Sequence, residues 1–188
     1  VQDDADTDEV LLRRIAGGDA PAFRQLAARH GPRVLAVARR TLGDGAEAED
    51  IVQEVFVRLW QHAGRWQPGR AQLATWLHRV TVNLCLNHLQ RVRNRTEPLD
   101  AEALESTVAP ASVEGDVSAA ERRRLVHAAV AQLPERQRAA VALFYTAGAS
   151  TAEAAAALEL SVKATESLLV RARRTLRERL AALLEVEP

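Results

Sequence analysis

Arg79, Asn83, Asn87, Arg91 and Arg95 recur at every fourth residue through the stretch TWLHRVTVNLCLNHLQRVRNR, Thr75 to Arg95. If that stretch is helical, this spacing keeps them on one slowly drifting stripe. Guanidinium groups pair with phosphate oxygens, and arginine and asparagine both carry donors that match base edges. From Arg65 to Arg95 there are six arginines and no Asp or Glu, so nothing in the run repels a polyanion. Two readings fit the stripe: a face laid against nucleic acid, or a solvated helix face. Trp66 precedes it in the loop-like segment AGRWQPGRAQLA. An aromatic ring in a basic loop suits an unstacked base, because single-stranded bases stack on aromatic side chains while the backbone follows positive charge. It also suits a lid on a hydrophobic core.

Catalytic side chains are not grouped in this way. His30, His62, His78, His88 and His127 form no His-Glu-x-x-His pair, and there is neither a Gly-rich phosphate loop nor a Gly-x-Ser-x-Gly elbow. Acid pairs such as Glu49 and Asp50 fall at a helix start, where the helix dipole accounts for them. The expectation is a protein that is not an enzyme, with no catalytic residue, no metal site and no cofactor.

Composition points to helices. The 188 residues are 47% hydrophobic, 27% charged and only 4% aromatic, with 9 Gly and 7 Pro, a helix-favouring mixture long enough for one core or two small ones. The formal net charge of zero is a sum of segregated blocks. Residues 1–9 hold five acids and no base, residues 97–116 hold six acids and no base, and residues 171–179 hold five arginines. Such segregation speaks of partners more than the total does. The single cysteine, Cys85, excludes an internal disulfide and a multi-Cys zinc site and reads as core. With an acidic N-terminus and no apolar run of the roughly 18 residues that span a bilayer, the expected location is the cytoplasm, without membrane insertion. The sequence opens on Val1 rather than Met, which predicts a trimmed start.

The elements that must position these residues follow from caps and periodicity. Thr7 caps a first helix with Asp8 and Glu9 in its first turn, and Gly17-Gly18 ends it. Asp19 and Pro21 start a second helix whose period persists across Gly31-Pro32, and Gly43-Asp44-Gly45 is a turn. Asp44 and Glu47 make a capping arrangement for AEAEDIVQEVFVRLWQH, where Ile51, Val55 and Leu59 form one apolar row and Val52, Phe56 and Trp60 another. Both rows are core, or one docks a partner helix. On the helix from Thr75, Leu77, Val80, Leu84, Cys85 and Leu89 form the apolar side. Residues 96–117 lack periodicity and read as a flexible acidic linker. Helices resume with a capping box from Ser118 to Glu121, continue after Pro134 and close at Gly148. A second box, Ser150 to Glu153, opens an alanine-rich helix, and Ser161 caps a long arginine-rich one. That last pair has the form of a helix-turn-helix, or of a plain amphipathic pair ending a bundle. The predicted fold is all-α, with two small helical domains, 1–95 and 118–188, joined by the linker 96–117.

Taken together, the blocks AEDIVQEVFVRLW, TWLHRVTVNLCLNHLQR and LPERQRAAVALFYTAGASTAEAAAALELSVKATESLLVRARRTLRERL resemble the extracytoplasmic-function (group IV) sigma factors, the small two-domain members of the sigma-70 family. The resemblance implies that residues 1–95 are a sigma region 2 domain and 118–188 a region 4 domain. It implies that Asp50, Gln53, Glu54, Phe56 and Trp60 bind the beta-prime clamp coiled coil of core RNA polymerase, whose beta flap is a further contact. Asn83, Asn87 and Arg91 would read the minus-10 strand, Arg79 and Arg95 would hold its backbone, and Trp66 with Asn83 would hold a flipped base. Ser161, Lys163, Thr165, Glu166, Ser167, Arg171 and Arg174 would meet the minus-35 duplex.

The chain departs from the pattern at Glu166 and Leu168, where many members carry basic residues. A carboxylate accepts from cytosine N4 but repels phosphates. The run ESLLVRARR resembles a subgroup that includes metal-resistance sigma factors released from membrane-anchored anti-sigma partners, so a stress response under anti-sigma control is implied. Two other readings stand beside this one. A sigma-like interaction protein would sequester an anti-sigma factor without binding promoters, and a conventional helix-turn-helix repressor would leave residues 46–95 unexplained.

Overall fold

The computed structural model describes residues 7–43, 46–67, 69, 72–96 and 119–184. The architecture is all-α, with no strand among the described residues. In the first half, α1 (Asp8–Ala16) and α2 (Ala20–Leu42) begin on side-chain caps. Thr7 accepts from the Val10 amide at 3.4 Å and Asp19 from the Ala22 amide at 3.0 Å. Pro32 lies inside α2 without ending it. The proline removes one helical donor, but Leu26 before it and Val34 and Ala38 after it are anchored in the same core. Gly43 closes α2 with φ +83°, a left-handed conformation that costs glycine little. The caps expected of Asp44 and Ser118, and residues 97–117 of the expected linker, lie outside the described residues.

The third helix, α3 (Ala46–His62), is followed by a 3-10 turn at Ala63–Arg65 and then by α4 (Leu73–Thr96). These helices enclose a core of Leu11, Leu26, Val34, Val55, Leu59 and Leu77, each almost wholly buried. Cys85 belongs to it, and burial pushes its thiol up to about 12, as expected of a core cysteine with no chemistry.

The second half contains α5 (Ala119–Ala131), α6 (Glu135–Val141) with a π-helical turn over Ala142–Thr146, α7 (Thr151–Leu158) and α8 (Val162–Leu184). The Ser150–Glu153 capping box is complete: the Ser150 hydroxyl accepts from the Glu153 amide and the Glu153 carboxylate from the Ser150 amide. Ser161 caps α8 by accepting from the Ala164 amide at 3.1 Å.

The two halves pack against each other. Val37 of α2 and Val82 of α4, both fully buried, join one apolar cluster with Ala139, Ala140, Leu143, Ala154, Ala157, Leu158 and Leu169 from the second half. Alanines on α6 and α7 allow this close approach, since short side chains let helix backbones come near. Across the same seam Arg93 pairs with Glu135 at 3.2 Å, and Arg40 donates to His127 at 3.4 Å.

Candidate nucleic-acid interface

The wet face of α4 begins beside two tryptophans. Trp76 stacks on His62 at 5.4 Å between centroids, and Trp66 meets Trp76 edge-on at 6.2 Å. Trp66 is half-buried against the first core, with one part of its ring left to solvent. The lid and the base-stacking surface that the sequence offered as alternatives are thus compatible in one residue.

Further along the helix, Asn87, Arg91 and Arg95 are exposed. Arg79 and Asn83 point instead at the second half. Glu159, in the turn between α7 and α8, accepts at one carboxylate oxygen from Arg79 Nε at 3.2 Å, Arg79 Nη2 at 2.7 Å and Asn83 Nδ2 at 3.5 Å. The hydrogen bond from Arg79 holds the Glu159 carboxyl below its ordinary value, helped by the guanidinium charge and then by Asn83. His78, which immediately precedes Arg79, is 7% exposed. Burial lowers its pKa, the charges of Arg33 and His30 lower it further, and Glu153 on α7 opposes them.

The recognition candidate α8 presents Ser161, Lys163, Glu166, Ser167, Arg171 and Arg174 to solvent. Thr165 is different: it is fully buried and its hydroxyl donates to the Ser161 carbonyl at 3.1 Å. Its side chain lies on the inner face of the helix-turn-helix, away from the exposed Lys163, Glu166 and Ser167. Leu169 and Ala172 hold the same inner face. Arg174 is paired with Glu178 at 2.8 Å, whereas Arg171 Nε donates back to the Ser167 carbonyl at 3.2 Å.

On α3, Asp50, Gln53 and Glu54 are exposed, with Glu54 paired to Arg58 at 2.7 Å. Phe56 is 7% exposed and lies edge-on to Phe23, which also meets Trp60. This ring lies inside the core and supports the helix. Trp60 is 40% exposed. Val57, 49% exposed, completes a stripe of Asp50, Gln53, Glu54 and Val57 at steps of three and one that the two apolar rows concealed. Reading the exposed positions of the helix separately from its apolar rows would have found it.

Among the described residues no group of three or more His, Cys, Asp or Glu could hold a metal ion, and no helix is long and apolar enough to cross a membrane.

Residues 26–96, which contain α3, the tryptophan pair and α4, match the family model for sigma-70 region 2, and residues 123–176 match that for sigma-70, region 4. The RNA polymerase sigma-H factor of Pseudomonas aeruginosa is 31% identical over 186 residues, covering 94% of this chain and 95% of that protein. The ECF RNA polymerase sigma-E factor of Escherichia coli K12 is 30% identical over 186 residues, covering 95% of this chain and 96% of its own length. Among solved structures, CnrH in complex with the cytosolic domain of CnrY has a TM-score of 0.65 at 33% identity, over 95% of this chain and 99% of that one. The sigma factor RpoE of Bartonella quintana, in complex with the anti-sigma factor NepR, shares the fold at TM-score 0.67 and 24% identity, over 88% of this chain and 98% of that one.

Proposed function

From the premise that this chain belongs to the extracytoplasmic-function sigma factors of the sigma-70 family, we propose how its surfaces divide the work of a promoter-specificity subunit. The chain is an RNA polymerase sigma factor, which binds core polymerase, recognises minus-35 and minus-10 elements and promotes initiation by melting DNA. The observation that carries the residue assignment is the acid-free face of α4, with Arg79, Asn83, Asn87, Arg91 and Arg95 on one helix beside the half-buried Trp66. On this reading Asn83, Asn87 and Arg91 meet the bases of the non-template strand, Arg79 and Arg95 hold its phosphates, and Trp66 flanks a flipped base. Melting then needs no reacting group, because bases held outside the stack offset the cost of unstacking them. The protein supplies binding energy and no catalytic step.

The stripe Asp50, Gln53, Glu54, Val57 and Trp60 on α3 is the surface for the beta-prime clamp of core polymerase. It combines acids with exposed apolar area on one side of a rigid helix. Lys163, Glu166, Ser167, Arg171 and Arg174 on α8 face the minus-35 duplex, with Glu166 placed to accept from a cytosine amino group. An anti-sigma factor holds the chain inactive, by analogy with the sigma factor RpoE, whose solved structure is in complex with the anti-sigma factor NepR. The site of action is the cytoplasm, where core polymerase works.

Transcription in vitro with core polymerase and a library of bacterial promoter fragments tests this. Initiation at a defined subset of fragments is expected. Failure to initiate at any, with the chain still bound to polymerase, would refute the assignment.

A further inference from the structure

Glu159 combines two features that its neighbours do not. It is the one non-glycine residue with positive φ among the described residues, at φ 55°, ending α7 in the left-handed conformation that favours glycine or asparagine. Its carboxylate crosses to α4 and takes donors from Arg79 and Asn83 together. A glycine at this turn would be less strained but would leave that guanidinium and amide without their partner. An oxyanion held by an arginine edge and an asparagine amide is also the arrangement a phosphate would adopt there. Beside it, Ala154, Ala157 and Leu158 of α7 pack on Val82 and cover that flank of α4.

The cover is selective. Asn87, Arg91 and Arg95 remain exposed, as do Asp50, Gln53 and Glu54 on α3 and Lys163, Arg171 and Arg174 on α8. Polymerase docking and duplex recognition are therefore open in this arrangement, while the Thr75-proximal part of the strand site is shut.

We propose that the Glu159 carboxylate is an internal occupant of the strand-reading site, holding Arg79 and Asn83 in the free chain until polymerase or a melted strand draws α7 away from α4. This rests on the reading that Arg79 and Asn83 contact the promoter strand. An exposed ion pair is weak, so Glu159 biases the seam rather than locking it, and several phosphates arriving together displace it. The apolar cluster around Val82 supplies most of the closure.

A buried thiol reports the opening. In a Val82→Cys chain the new side chain is reached by a water-soluble disulfide reagent when the seam between α4 and the second half opens, and the native Cys85 adds little because it is buried in the first core. Glu159→Gln and Glu159→Gly are expected to speed labelling by about two- to five-fold, the scale of one exposed pair. Glu159→Gly also removes the backbone strain, so faster labelling in that variant separates the carboxylate from any structural role of the turn. Glu159→Lys should speed labelling too, and Arg79→Glu added to it should restore the slow rate. Unchanged labelling in both the Gln and Gly variants would overturn the proposal. If Val82→Cys does not fold, Ala157→Cys on the opposite wall, 1% exposed, serves as the reporter. The strand reading is tested apart from this, in holoenzyme: Asn83→Ala should lose permanganate-reactive thymines at a promoter. Normal reactivity there would refute the strand site while the thiol rates still decide the closure.

Discussion

Replacing Phe56 by alanine separates a core residue from a docking residue. The ring is 7% exposed and packs edge-on to Phe23 with centroids 6.2 Å apart. Its removal costs the transfer energy of the ring and leaves a cavity between α2 and α3, about 4 kcal/mol in all for a buried Phe→Ala change, which includes the roughly 1 kcal/mol of the aromatic pair. Domains of this kind have only about 5 to 15 kcal/mol to lose. With a urea slope of about 2 kcal/mol per molar, the denaturation midpoint followed by circular dichroism at 222 nm should fall by about 2 M. Below that midpoint the variant should still bind core polymerase close to the parent's affinity, since Asp50, Gln53, Glu54 and Val57 are untouched. Val57→Ala should behave in the opposite way, with stability within about 0.5 kcal/mol of the parent and weakened binding by gel filtration or fluorescence anisotropy. If Phe56→Ala costs less than about 1 kcal/mol yet abolishes polymerase binding, the ring is a contact residue and its burial has been misjudged.

Asn83→Ala should impair open-complex formation more than duplex binding, by about tenfold for a lost base contact, and equal losses in a permanganate footprint and a binding titration would count against a strand-reading role. Thr165→Val should cost about 1 kcal/mol through the lost bond to the Ser161 carbonyl while leaving minus-35 sequence preference unchanged; a changed preference in a binding-site selection would return Thr165 to the DNA face. Acidification should loosen the fold around His78. Its folded pKa lies below the ordinary histidine value, so the unfolded chain binds the proton first. Stability is then full near neutral pH and is lost as pH falls below the ordinary value toward the lowered one. The groups that face it are Arg33 and His30 from α2 and Glu153 from α7, and His78→Asn should flatten this part of a urea-midpoint profile against pH. An unaltered profile would show that His78 is not the titrating group.

Local signals in the chain were legible where one residue type has one physical use. Thr7, Asp19, Ser150 and Ser161 were recognisable as caps because their oxygens have few other roles ahead of a helical period, and each accepts the amide expected of it. Pattern alone did not distinguish the buried faces on which Phe56 and Thr165 lie. An apolar ring in a wide stripe and a hydroxyl at a helix start are each compatible with either face of a helix, and burial depends on what packs opposite. Val57 was hidden for the same reason, since an apolar residue off the two rows carries no mark of being exposed.

The sequence by itself determined the helices, their caps, the basic face of α4 and the kinship of the two blocks, because propensity, periodicity and charge are properties of neighbouring residues. Only the tertiary structure decided that Val82 belongs to a core shared by both halves and that Arg79 and Asn83 meet Glu159, 80 and 76 residues away in the chain. Those facts are set by how two apolar faces of matching shape come together. No local pattern encodes the place where an acid in one turn will lie against a helix of another half.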